Sequence, residues 1–96
     1  MTVTTSPTGA TQSRQNWASQ LVPYRDLQGN SGVVAYYAGD AYIIVEFQDG
    51  AVYLYNATAP GQLHVEEMIR RARQGSGLAT YIKQEVREHY ALKLRD

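Results

Sequence analysis

Ninety-six residues are enough for one small domain, and a core of that size is marginal on its own. Nine Lys and Arg balance nine Asp and Glu, which argues against a protein that coats nucleic acid through bulk positive charge. There is no cysteine, so disulfides, thiolate chemistry and cysteine-based zinc sites are excluded together. The longest apolar run, Ala41 to Val45, is too short to cross a bilayer, and no signal-peptide pattern opens the chain. A cytoplasmic protein without a membrane partner is expected.

Residues 1–13 are Thr, Ser, Gly, Ala and Pro with no charge, a composition that cannot offset its own ordering entropy, and a disordered tail is predicted. Residues 14–29 bring Trp17, Leu21, Val22 and Tyr24 around Pro23 and read as a short helix or an extended arm. Large apolar groups there need cover, which makes Trp17, Leu21 and Val22 candidate contacts of a homo-oligomer. A loop rich in turn residues, Gly29-Asn30-Ser31-Gly32, leads into an α+β domain over 30–94. Its predicted strands are Val33 to Tyr37, Ala41 to Phe47 and Ala51 to Asn56. Asp49-Gly50 is a signal for a two-residue hairpin turn. That turn sets Phe47 opposite Val52 and Val45 opposite Leu54 on an apolar face, leaving Tyr42, Tyr53 and Tyr55 on the other.

Pro60-Gly61 opens a helix to about Gln74, with Val65, Met68, Ile69 and Ala72 on one stripe. Gly75-Ser76-Gly77 breaks it. A second helix is expected from Leu78 to Lys93, with Leu78, Ile82, Val86, Tyr90 and Leu94 stepping by four. The expected architecture is a three-stranded antiparallel meander followed by two helices packed on one face.

The segments Asn30-Ser31, Val45-Glu46-Phe47, Gly50 to Tyr55 with its Tyr53-x-Tyr55, and Val86-Arg87-Glu88-His89-Tyr90 together resemble the KTSC domain family. The resemblance covers about Asn30 to Tyr90. It departs at Lys83, where the family often has Asn, at the spacing of Gly77 before Tyr81, and in the Trp17 segment, which lies outside the pattern. KTSC domains stand alone or close some lysyl-tRNA synthetases, so the resemblance implies a fold and, through those synthetases, a link to RNA.

Eight tyrosines against one Phe and one Trp suit both half-buried strands and stacking surfaces. Tyr53 and Tyr55 are candidates for stacking a base. Arg73 precedes Gly75-Ser76-Gly77 at the entry to the second helix, where Ser76 and free backbone N–H groups make a candidate phosphate cradle, competing with plain helix caps. Lys83, Arg87 and Tyr90 complete the candidate ligand-binding set. Glu66 and Glu67 pair with Arg70 and Arg71 on paper, leaving Arg73 without a partner. Tyr81, Glu85 and His89 share a helix stripe, yet no nucleophile motif or metal-ligand spacing accompanies them, so no catalytic residue, metal or cofactor is assigned. The leading reading is a non-enzymatic, stand-alone module, of a kind a virus or mobile element could use, that binds or sequesters a small nucleotide. An RNA-binding accessory module and a protein-protein adaptor are the alternatives.

Overall fold

The computed structural model describes residues 17–29 and 31–96. The predicted tail over 1–13, the start of the arm and Asn30 lie outside the described residues. The chain folds as α+β, with an antiparallel sheet of five strands in sequence order and helices between the fourth and fifth. In chain order these are α1 (Trp17–Gln20), β1 (Val22–Pro23), β2 (Val33–Ala38), β3 (Tyr42–Phe47), β4 (Val52–Asn56), α2 (Gln62–Gln74), α3 (Leu78–Tyr81) and β5 (Leu92–Arg95). A π-helical turn, Ile82–Val86, continues α3. The expected meander of three strands is therefore corrected to five: the arm adds a short edge strand at one end and the C-terminal segment adds another at the opposite end.

The expected hairpin register is also corrected. Gly50 N–H donates to Phe47 O (2.9 Å) and Phe47 N–H donates to Ala51 O (2.8 Å), so the loop holds three residues, Gln48 to Gly50. Gly50 sits at φ +94°, the position a G1 bulge reserves for a residue without Cβ. Asp49 Oδ1 accepts the Ala51 N–H at 3.0 Å and holds the bend. One extra loop residue moves every partner by one: Ile43 pairs with Tyr55, Val45 with Tyr53 and Glu46 with Val52. Tyr53 and Tyr55, expected on the face away from Ile43 and Val45, share that face instead.

On that face Ile43, Val45 and Tyr55 form one cluster with Val65, Met68 and Ala72 of α2 and Leu78, Ile82 and Val86 beyond it. Complete burial of each Val, Leu, Ile or Met contributes about 1.5–3 kcal/mol against an entropy cost of similar total size. Helix α2 forms where the spacing predicts, and it closes with a Schellman cap. Gly75 N–H donates to Ala72 O, Ser76 N–H donates to Arg71 O, and Gly75 takes φ +77°.

The second helix does not reach Lys93. Arg87 N–H donates five residues back to Ile82 O, widening the last turn, and Arg87 itself takes φ 56°. His89 N–H then closes on Val86 O, and Ala91 N–H donates to Leu54 O as the chain joins the sheet. Pairing with β4 satisfies backbone groups that a longer helix would have left open on that edge. Tyr90 and Leu94, placed on the helix stripe by spacing alone, belong to this return segment and to β5.

The opposite face carries a second, smaller apolar layer. Val52 is 0 % exposed there, and Ile44 is buried beside it. The Arg95 guanidinium lies 5.8 Å from the Trp17 ring and bonds Glu46 (2.7 Å) and Gly50 O (2.9 Å), so the arm is held against its own sheet. Among the described residues no helix is long and apolar enough to cross a membrane.

Candidate functional site

A cleft of about 460 Å³ opens between the loop after β1, the end of β3 and the α2–α3 junction. The loop contributes Tyr24, Asp26, Gln28, Ser31 and Gly32; β3 contributes Phe47; the helical side contributes Ser76, Gly77, Ala79, Thr80, Ile82 and Lys83. This volume falls in the range of small-molecule sites, roughly 300–1,000 Å³. Tyr24, Phe47, Ala79 and Ile82 supply apolar surface, while hydroxyls, an amide, one carboxylate and one ammonium supply the polar groups.

Two long-range bonds build the walls. Tyr24 is buried, and its hydroxyl accepts the Leu78 N–H at 3.2 Å, tying the arm to the first residue of α3. Leu27 N–H donates to Gly75 O at 2.7 Å, seating the loop on the cap of α2. The carboxylate of Asp26 accepts the Ser31 N–H, with both oxygens at 3.2 Å, and its backbone takes φ 52°. Asp26 is therefore positioned by backbone geometry and makes no ion pair among the described residues. Phe47 meets Tyr53 edge-on, with centroids 5.7 Å apart.

The residues singled out from sequence separate into groups. Ser76 and Lys83 line this cleft. Arg73 does not; it lines a different, shallow cleft of about 700 Å³ with Arg25 and Arg70, opposite Asp40 and Glu66. The side chain of Arg25 reaches that cleft's rim and donates to Arg73 O at 2.6 Å. The expected phosphate cradle thus loses both its guanidinium and one N–H, since Leu78 N–H is already bonded to Tyr24. Tyr55 is 1 % exposed and offers no face to a ligand; burial pushes its phenol well above the ordinary tyrosine range. Tyr53 and Tyr90 stack on each other with centroids 4.5 Å apart, while Arg87 is exposed in the turn after α3. Trp17 and Leu21 are half-buried and Val22 is paired within β1, so the arm finds cover inside its own chain.

The stripe of Tyr81, Glu85 and His89 gives way to a different grouping. His64 Nδ1 lies 2.7 Å from Tyr81 Oη, and the Arg71 guanidinium sits 4.8 Å from the Tyr81 ring centre. Arg71 and Arg70 both hold Glu67, whose carboxyl is drawn down to about 2 by their hydrogen bonds and charges. Desolvation and the nearby Glu67 and Glu85 push the Tyr81 phenol up, with Arg71 opposing them. A raised phenol stays protonated at neutral pH, so this cluster is a latch between α2 and α3. Among the described residues no group of three His, Asp or Glu is placed to hold a metal ion.

None of the family models, curated proteins or solved structures compared with the chain matches it. The cleft residues missed by sequence reading are Tyr24, Asp26, Phe47 and Thr80. Asp26 and Gly29 carried a turn signal, and Thr80 lies one helical turn before Lys83; the other two depended on tertiary packing.

Proposed function

We propose that the chain is a non-enzymatic binding module that takes a small nucleotide-type ligand in the Tyr24–Phe47–Lys83 cleft. The observation that supports this reading is the gathering of an aromatic ring, Phe47, with the hydroxyls of Ser76 and Thr80 and the ammonium of Lys83 in one concavity. A base needs a flat apolar surface, and a phosphate needs hydroxyl donors and a cation. Phe47 takes the stacking role expected of Tyr53 and Tyr55, and Lys83 supplies the charge expected of Arg73. The KTSC resemblance and self-association of the chain belong to the same proposal, the latter open to light scattering on the intact chain. The cleft of Arg25, Arg70 and Arg73 favours RNA as the second reading, although Asp40 and Glu66 in the same cleft offset most of its charge.

The test is a thermal-shift panel of mononucleotides, cyclic dinucleotides and short RNA. A ligand at one hundred times its dissociation constant adds about 2.7 kcal/mol. Lys83→Ala is expected to weaken nucleotide binding by about 1.5–3 kcal/mol with little change in folding, because the side chain is exposed. Stabilisation by RNA alone, abolished by Arg73→Ala and untouched by Lys83→Ala, would favour the second reading.

A further inference from the structure

We infer that the base recognised in this cleft is guanine, read by the carboxylate of Asp26; the inference rests on the nucleotide reading above. Asp26 is the one carboxylate among the cleft's described lining residues, and an ionised carboxylate only accepts hydrogen bonds. The Watson–Crick edge of guanine offers two adjacent donors, N1–H and the N2 amino group, which match two carboxylate oxygens side by side. Adenine and cytosine each set a donor next to an acceptor, and that acceptor would face a carboxylate oxygen across the pair. Uracil has a single N–H between two carbonyls. Only the guanine edge satisfies both oxygens at once.

The carboxylate is prepared for this role. Its backbone is fixed in the left-handed region at φ 52°, and the Ser31 N–H bonds hold the carboxyl plane. No cation neutralises it among the described residues, and each oxygen keeps a free lone pair after the Ser31 contact. Gln28 on the same loop brings an amide donor for the guanine O6. Lys83, Ser76 and Thr80 lie across the cleft on the helical side, so base recognition and phosphate recognition come from different walls. A negative group at one wall and a positive group at the other also orient the ligand, because a phosphate at the Asp26 side meets repulsion.

The decisive variant is Asp26→Asn. Asparagine tolerates a positive φ and keeps one oxygen for the Ser31 N–H, so the loop is retained. It replaces one acceptor by a donor, which opposes guanine and suits xanthine, whose C2 carries a carbonyl instead of an amino group. The experiment is calorimetric titration of the intact chain and of Asp26→Asn with guanosine, adenosine and xanthosine monophosphates, each protein's thermal midpoint being recorded first. The expected result is preference of the parent for guanosine monophosphate on the order of 10- to 100-fold, the scale of a charge-assisted hydrogen bond. The variant is expected to lose that preference and gain affinity for xanthosine monophosphate. Equal binding of the guanosine and adenosine compounds, unchanged in the variant, overturns the guanine assignment and leaves the nucleotide reading standing. Binding of none of the three monophosphates overturns the guanine assignment, and silence across the whole nucleotide panel removes the nucleotide reading as well. Should the variant's thermal midpoint collapse, Gln28→Ala and the parent's own guanosine-to-adenosine ratio carry the test.

Discussion

Substituting Gly75 by alanine perturbs the joint between fold and cleft. At φ +77° any L side chain is strained by the left-handed conformation, at a cost of about 1–2 kcal/mol. At this position the cost rises further, because a Cβ on Gly75 would stand 2.7 Å from the Cβ of Arg25. That neighbour is the root of a side chain and cannot swing aside, so the loop after β1 must shift, at a further ~1–3 kcal/mol for overpacking. The predicted loss is about 2–4 kcal/mol in total. Gly29 is the matched control: it too has positive φ, at +81°, but nothing lies within 4 Å of the Cβ an alanine would place there. Gly29→Ala should therefore cost only the conformational part. The assay is urea denaturation of both variants beside the parent at one temperature, with the slope of the transition checked for constancy. Equal losses for Gly29→Ala and Gly75→Ala would refute the steric argument, and a loss below about 0.5 kcal/mol at Gly75 would refute the cap itself.

Further outcomes follow from other contacts. Alanine at Tyr53 and Tyr90, singly and together, should give a coupling of about 0.5–1.5 kcal/mol for the stacked rings, and strict additivity in the double-mutant cycle would deny the stack. Arg87→Gly should raise stability by about 1 kcal/mol, because Arg87 holds φ 56° and ψ −121°, a conformation that strains a residue with Cβ; an unchanged urea midpoint would contradict it. Glu67 is ionised far below its ordinary 4.5, so its contribution is complete above that pH and fades as pH falls toward about 2. The stability difference between the parent and Glu67→Gln should accordingly shrink between about pH 5 and pH 2.5, whereas a difference constant across that window would show that Arg70 and Arg71 do not stabilise the ionised form.

The parts of the fold that could be read from sequence were those set by local periodicity. The stripe of Val65, Met68, Ile69 and Ala72 marks α2, and Gly75 marks its end, because helix spacing and a left-handed cap are properties of neighbouring residues. The register of β3 and β4 was not legible in the same way. Asp49-Gly50 fits a two-residue turn and a three-residue loop equally well, and the choice exchanges the faces of Tyr53 and Tyr55. The second helix was overextended because a step of four continues formally through Tyr90 and Leu94. Alternation in Leu92-Lys93-Leu94-Arg95 was the competing strand signal, and pairing with β4 decided in its favour. At the cleft, Ser76 and Lys83 were accessible to motif reading. Tyr24 and Asp26 were not, because their roles rest on bonds and contacts to residues far along the chain, such as Tyr24 to Leu78.

The most direct measurement of the central claim is an amide chemical-shift map of the intact chain titrated with guanosine monophosphate. The account predicts saturable changes at Gln28, Gly32, Phe47, Ser76, Thr80 and Lys83, with Leu54 and Asn56 on the far face of the sheet unmoved. Changes centred on Trp17, Ile44 and Leu54, or on Arg25 and Arg73, or none at millimolar ligand, would contradict it.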